Sequence, residues 1–250
     1  MIKGSKRPVR ELYTAENVRK DFGSNVESVK VLENINLYIR DGEFLVIFGP
    51  SGCGKSTLLH ILLGLEAPTS GKVFFKGNDI YKNMDEDSRT IYRKTNIGMV
   101  YQQSNWIKSL NVRDNVMFPL RLSGTDGGGF EKRVTEVLSW VGMQDRQENF
   151  PSELSSGQQQ KISLARAVIS NPSIIVADEP TGNLDFDSGN ELMELLKKLN
   201  GEDKTVIMVT HDLEYLKYAT RAIRMFNGKI EEVIDDPVTY HKHSSVKFKR

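Results

Sequence analysis

An α/β fold built on a parallel sheet is predicted by three features: short, continuously apolar runs, helical repeats between them, and regular alternation of the two along the chain. Phe44–Phe48, Ile174–Ala177 and Val206–Val209 are apolar throughout, as strands buried on both faces are. Ser56–Leu63 reads as a helix closed by Gly64. Lys72–Phe75, followed by Gly77 and Asn78, reads as a strand entering a turn. Leu192, Leu195, Leu196 and Leu199 give Gly189–Leu199 a helical period. Strand, helix and strand in that order predict right-handed parallel crossovers.

Residues 95–156 have a different character. Asp114–Leu122 and Phe130–Val141 have helical patterns, and no strand is expected there. Gly124–Gly129 joins the two helices. It lacks a following Lys-Ser and an upstream strand, so it reads as a linker rather than a phosphate loop. The expected organisation is a single domain over 10–240. Residues 10–94 and 157–235 form its α/β core, 95–156 form an inserted helical subdomain, and 239–250 form a basic, disordered tail.

Composition narrows the function. The chain has 250 residues, with 34 basic against 33 acidic side chains and a formal net charge of +1. That balance argues against a nucleic-acid stripe or adhesion to anionic lipid. One cysteine, Cys53, excludes an internal disulfide and fits a reducing compartment. Met1–Arg10 is basic with no apolar stretch behind it, unlike a signal peptide. No apolar run approaches the roughly 20 residues of a spanning helix. Any work at a membrane is therefore expected to run through a partner.

The chemistry concentrates at strand ends. Gly49, Pro50, Ser51, Gly52, Cys53, Gly54, Lys55 and Ser56, with Thr57 behind them, follow a strand and open a helix in the pattern G-x-x-x-x-G-K-S. The glycines let the backbone curl so that its N–H groups face one anion, and the helix N-terminus adds its positive end. Lys55 is expected at the β- and γ-phosphates and Ser56 on Mg²⁺. Cys53 stands at a middle position that acts through its backbone. Ile174–Ala177 runs into Asp178 and Glu179, whose side chains must point to opposite sides. Asp178 is the expected Mg²⁺ holder, and Glu179 the acceptor of the attacking water's proton. These residues predict a nucleoside triphosphatase of the P-loop class.

Leu154-Ser-Ser-Gly-Gln158 ahead of the helical run 159–170 goes further, because it resembles the Leu-Ser-Gly-Gly-Gln signature of the ABC ATPase family. The resemblance covers about residues 10–235 and brings other positions into order. Gln102 matches the Q-loop glutamine, where the family also ligates Mg²⁺. Gly182–Asp185 is similar to the D-loop, and His211 to the switch histidine. Phe22 is similar to the aromatic that stacks on adenine. Taken singly, each of these would be an ordinary loop or core residue. By this resemblance Ser155, Ser156, Gly157, Gln158 and Asp185 meet nucleotide. Ser156 departs from the family pattern, where a glycine is usual.

The resemblance implies a RecA-like core, an inserted helical subdomain and a small N-terminal antiparallel sheet. It also implies ATP and Mg²⁺, and a head-to-tail dimer with a second copy or a paralogous subunit. A membrane permease would dock near Gln102–Pro119, with Trp106 as an exposed contact, at the cytoplasmic face of the membrane. Segments 23–31, 64–71, 114–119 and 177–185 resemble the MacB/LolD branch, which lies near FtsE. That branch handles export, lipoprotein release and force transmission. An FtsE-like regulator of cell-wall enzymes is the alternative. Soluble ABC ATPases that act on DNA or ribosomes need a coiled-coil insertion or a second ATPase domain, and neither is present in this sequence.

Overall fold

The computed structural model describes residues 10–23, 28–124 and 128–240. In chain order, β1 (Glu11–Gly23) and β2 (Ser28–Arg40) precede β3 (Phe44–Phe48) and α1 (Lys55–Leu62). Then come β4 (Ser70–Phe75), β5 (Asn78–Asp79), α2 (Glu86–Asn96) and β6 (Ile97–Tyr101). The helices α3 (Val112–Leu122), α4 (Phe130–Trp140) and α5 (Ser156–Val168) follow, and then β7 (Ile174–Asp178) and α6 (Phe186–Gly201). The described chain closes with β8 (Thr205–Thr210), β9 (Arg221–Phe226) and β10 (Lys229–Ile234).

The strands form two sheets. A four-stranded antiparallel sheet runs β2-β1-β4-β5, and a six-stranded sheet runs β10-β9-β3-β8-β7-β6. In the larger one β6, β7, β8, β3 and β9 are parallel neighbours, and β10 returns antiparallel at the edge. All five residues of β3 are buried, and successive side chains serve opposite faces. Phe44, Val46 and Phe48 join the core beneath α3–α6, whereas Leu45 and Ile47 join the core shared with α1 and the antiparallel sheet. The predicted alternation and the antiparallel N-terminal sheet are thus both present. A buried ion pair ties the halves together: Arg221 on β9 donates to both Glu43 oxygens at 3.0 and 2.8 Å, and its guanidinium lies 4.6 Å from the Tyr38 ring.

Two sequence expectations are corrected. The helical subdomain does not begin at residue 95, because β6 is a core strand that pairs in parallel with β7 from Ile97 to Tyr101. Gly98 interrupts its apolar pattern, and packing requires that glycine: a Cβ there would stand 2.2 Å from the Ala167 carbonyl of α5. The tail boundary also moves. Tyr240 lies in a last helical turn with its ring 6.1 Å from Phe48, and only 241–250 lie outside the described residues. Part of the expected linker, 125–127, and part of the N-terminal loop, 24–27, lie outside them too.

Candidate active site

The P-loop curls between β3 and α1 because two glycines sit where no other residue fits. A Cβ on Gly49 would meet the Met225 carbonyl at 2.1 Å, and one on Gly54, at φ 100°, would meet Leu32 at 2.7 Å. Cys53 turns its thiol into the core, and its carbonyl accepts the Gly228 N–H at 3.1 Å. Its role is packing and backbone geometry. The Lys55 ammonium donates to the Gly49 and Pro50 carbonyls at 2.9 and 3.1 Å, which holds the charge inside the curl.

A cleft of about 260 Å³ opens over this loop, lined by Val31, Ser51, Gly52, Gly54, Lys55, Ser56, Thr57 and Glu179. At its floor the Ser56 hydroxyl donates to Asp178 at 3.2 Å, so the two candidate metal holders are brought together. Burial pushes the Asp178 carboxyl above the ordinary aspartate range, and the Ser56 bond only partly offsets this. A half-buried carboxylate with a hydroxyl beside it suits a hard cation. Among the described residues no cluster of three or more His, Cys, Asp or Glu side chains is set for a metal.

Glu179 leaves the sheet at once. Its φ of 48° is left-handed, its N–H donates to the Val209 carbonyl at 2.9 Å, and its carboxylate meets His211 Nδ1 at 2.9 Å. The expected proton acceptor and the residue similar to the switch histidine are therefore in contact. β7 and β8 are parallel neighbours, so both side chains emerge at the C-terminal end of the sheet.

The remaining predicted residues fall into two other places. Phe22 ends β1, paired with Val29, and is 42% exposed, with the Lys20 ammonium 4.7 Å from its ring centroid. One ring face is thus backed by a cation, and Lys20 is itself fixed by Glu66 and the Ala67 carbonyl. Gln102 and Ser156 line a groove of about 690 Å³ apart from the P-loop cleft, but the Gln102 amide also packs against Gly182, in the turn that follows Glu179. Ser155 caps α5, accepting the Gln158 N–H at 3.3 Å, while the Gln158 side chain accepts the Ser155 N–H at 3.0 Å. Gly157 is buried where a Cβ would meet the Ser188 hydroxyl at 2.6 Å. Asp185 caps α6 through the Ser188 N–H at 2.9 Å. The signature and D-loop residues thus have local structural work of their own and do not line the cleft of their own chain.

Trp106 is corrected from an exposed contact to a half-buried wall. Its indole N–H donates to Gln159 at 3.0 Å, and the Arg166 guanidinium lies 4.6 Å from its ring centroid. Sequence reading also missed Gln160, which is 3% exposed. The signal was available: position 160 shares a helical face with Leu164, Ala167 and Val168.

A Gly-rich curl before a helix, a lysine inside it and an Asp-Glu pair at the end of a parallel strand two places across the sheet define a P-loop nucleoside triphosphatase. Known proteins carry this further. Residues 32–182, more than half of the chain, match the ABC transporter family. An uncharacterized ABC transporter ATP-binding protein of Methanocaldococcus jannaschii is 47% identical over 224 residues, covering 90% of this chain and all of that protein. A macrolide export ATP-binding/permease protein MacB of Yersinia pestis is 39% identical over 88% of this chain, which spans 32% of that longer protein. Among solved structures, the cassette MJ0796, described as dimeric in a post-hydrolysis state with ADP and Pi, superposes with a TM-score of 0.81 at 39% identity. That match covers 88% of this chain and 97% of the other. The chain belongs to the ABC transporter family, as an ATP-binding subunit that hydrolyses ATP.

Proposed function

We propose that two copies of the chain close head to tail over two Mg–ATP and that this closure drives a membrane permease. The observation that carries the reading is the separation of the two halves of the site. The P-loop and Glu179 line one cleft, with Asp178 bonded to its Ser56, whereas Ser155 and Ser156 stand exposed at the start of α5 and Ser156 lines another groove. A two-fold axis brings one copy's signature to the other's cleft. Lys55 and the P-loop N–H groups bind the phosphates, and Phe22 stacks on the base. Glu179, oriented by His211, takes the proton of the attacking water, and Gln102 aligns that water. Ser56 and Asp178, with Gln102, would hold Mg²⁺, which would supply charge neutralisation for the β- and γ-phosphates.

Ser156→Gly tests the crossing. It restores the family's glycine at a residue serving the opposite nucleotide, so kcat is expected to change while monomer affinity for Mg–ATP stays within about two-fold. Equal shifts in both would place Ser156 at its own chain's nucleotide.

A second large groove supports a seat for the permease. About 760 Å³ lies between α2, β6 and α3, lined by Met99, Ile107, Phe118, Pro119 and Leu122, with Arg93, Lys94 and Arg166 at its polar side. It overlaps the expected docking segment Gln102–Pro119. No helix among the described residues is long and apolar enough to cross a membrane, so a peripheral place on the cytoplasmic face depends on this seat. Phe118→Asp is expected to abolish co-purification of the permease while preserving Mg–ATP binding, because a desolvated carboxylate replaces an apolar anchor. Wild-type recovery of the complex would move the seat elsewhere. Relatives named for macrolide export and methionine import support a transport role over the regulatory alternative.

A further inference from the structure

Gln160 lies about one helical turn beyond Ser156 in α5, on a buried face that it shares with Ser163, Leu164, Ala167 and Val168. A primary amide in such a place is costly unless each of its groups is paired. Here each is. Nε2 donates to the Tyr101 carbonyl at 2.9 Å and the Pro180 carbonyl at 2.8 Å, and Oε1 accepts the Ser104 hydroxyl at 2.9 Å. Tyr101 and Ser104 bracket Gln102, and Pro180 follows Glu179. One side chain therefore joins the signature helix to the segment carrying Gln102 and to the turn carrying Glu179. Its neighbours on α5 strengthen the first link: Gln159 holds Trp106, and Arg166 donates to the Ser104 and Asn105 carbonyls.

We infer that Gln160 is a positioning residue that carries a displacement of α5 to Gln102 and Glu179. The inference rests on the dimer reading above, in which the start of α5 meets the partner's nucleotide while Gln102 and Glu179 act on the chain's own. Contact at one site would then set the geometry of the other. Three short bonds from one amide make a stiff link. A methionine of similar length fills the space but makes none of the amide's bonds to the two carbonyls and the hydroxyl, which leaves their segments free to shift.

The test uses the full chain with Gln160→Met, alone and in a Trp140→Phe background. The chain has two tryptophans, so that background leaves Trp106 as the sole emitter. The variant is expected to keep Mg–ATP affinity within about two-fold and to lose roughly ten-fold or more in kcat, as small misplacements of catalytic groups do. The change in Trp106 emission on adding Mg–ATP should be lost with it. Wild-type kcat, or affinity and kcat falling together, would overturn the inference. If Gln160→Met does not fold, Ser104→Ala removes only the hydroxyl bonded to Oε1. It should then lower kcat by about three-fold or more at unchanged affinity, and unchanged kcat there would overturn the inference equally. Sedimentation of Glu179→Gln with Mg–ATP separates the two claims. A monomer there sinks the dimer and the link together, whereas a dimer combined with full turnover by Gln160→Met sinks the link alone.

Discussion

Glu179→Gln is expected to lower ATP turnover by about 10²–10⁴ while leaving Mg–ATP binding intact. The side chain stands at the mouth of the cleft, thrown clear of the sheet by its left-handed backbone and met by His211 at 2.9 Å. An amide keeps that shape and the contact with His211, but it cannot accept the proton of attacking water. Binding is expected to survive because the proposed phosphate holders, the P-loop and Lys55, are untouched by the substitution. Steady-state ATPase within about two-fold of wild type would remove Glu179 from the role of base.

Lys55→Ala is expected to fail one step earlier, at binding itself. The ammonium is pre-placed by the Gly49 and Pro50 carbonyls at 2.9 and 3.1 Å, and it lines the cleft. A charge-assisted bond contributes about 1.5–3 kcal/mol, so its loss should weaken Mg–ATP by roughly ten-fold or more. Isothermal titration reads this directly, and unchanged affinity would contradict it. The contrast between the two variants is the useful result. One separates chemistry from binding, and the other removes both.

How much of this was legible in the sequence depended on whether the determinants are local. The P-loop and the Asp178-Glu179 pair were readable because motif, strand and helix are contiguous there. Asp185 and Ser155 match the family pattern, but their capping of α6 and α5 also explains why α6 starts ahead of the Gly189 given by the leucine period and α5 ahead of residue 159. β6 was missed because Gly98 breaks the apolar run for the sake of Ala167, 69 positions away in sequence (167 − 98). The helix α2 was missed because only Tyr92 of it is buried, which leaves no apolar stripe to read. Gln160 and Trp106 depend on partners about 20 to 60 positions away in sequence, and no local pattern gives such pairings.

The central claim is that each nucleotide is shared between two copies of the chain, and the mass of Glu179→Gln in solution tests it most directly. Light scattering is expected to give twice the 28.3 kDa chain mass with Mg–ATP and a single chain mass with Mg–ADP. In that variant the γ-phosphate persists, so the contact between one copy's signature and the other's cleft is retained. A single chain mass in both nucleotides, with ATP binding verified, would contradict the claim.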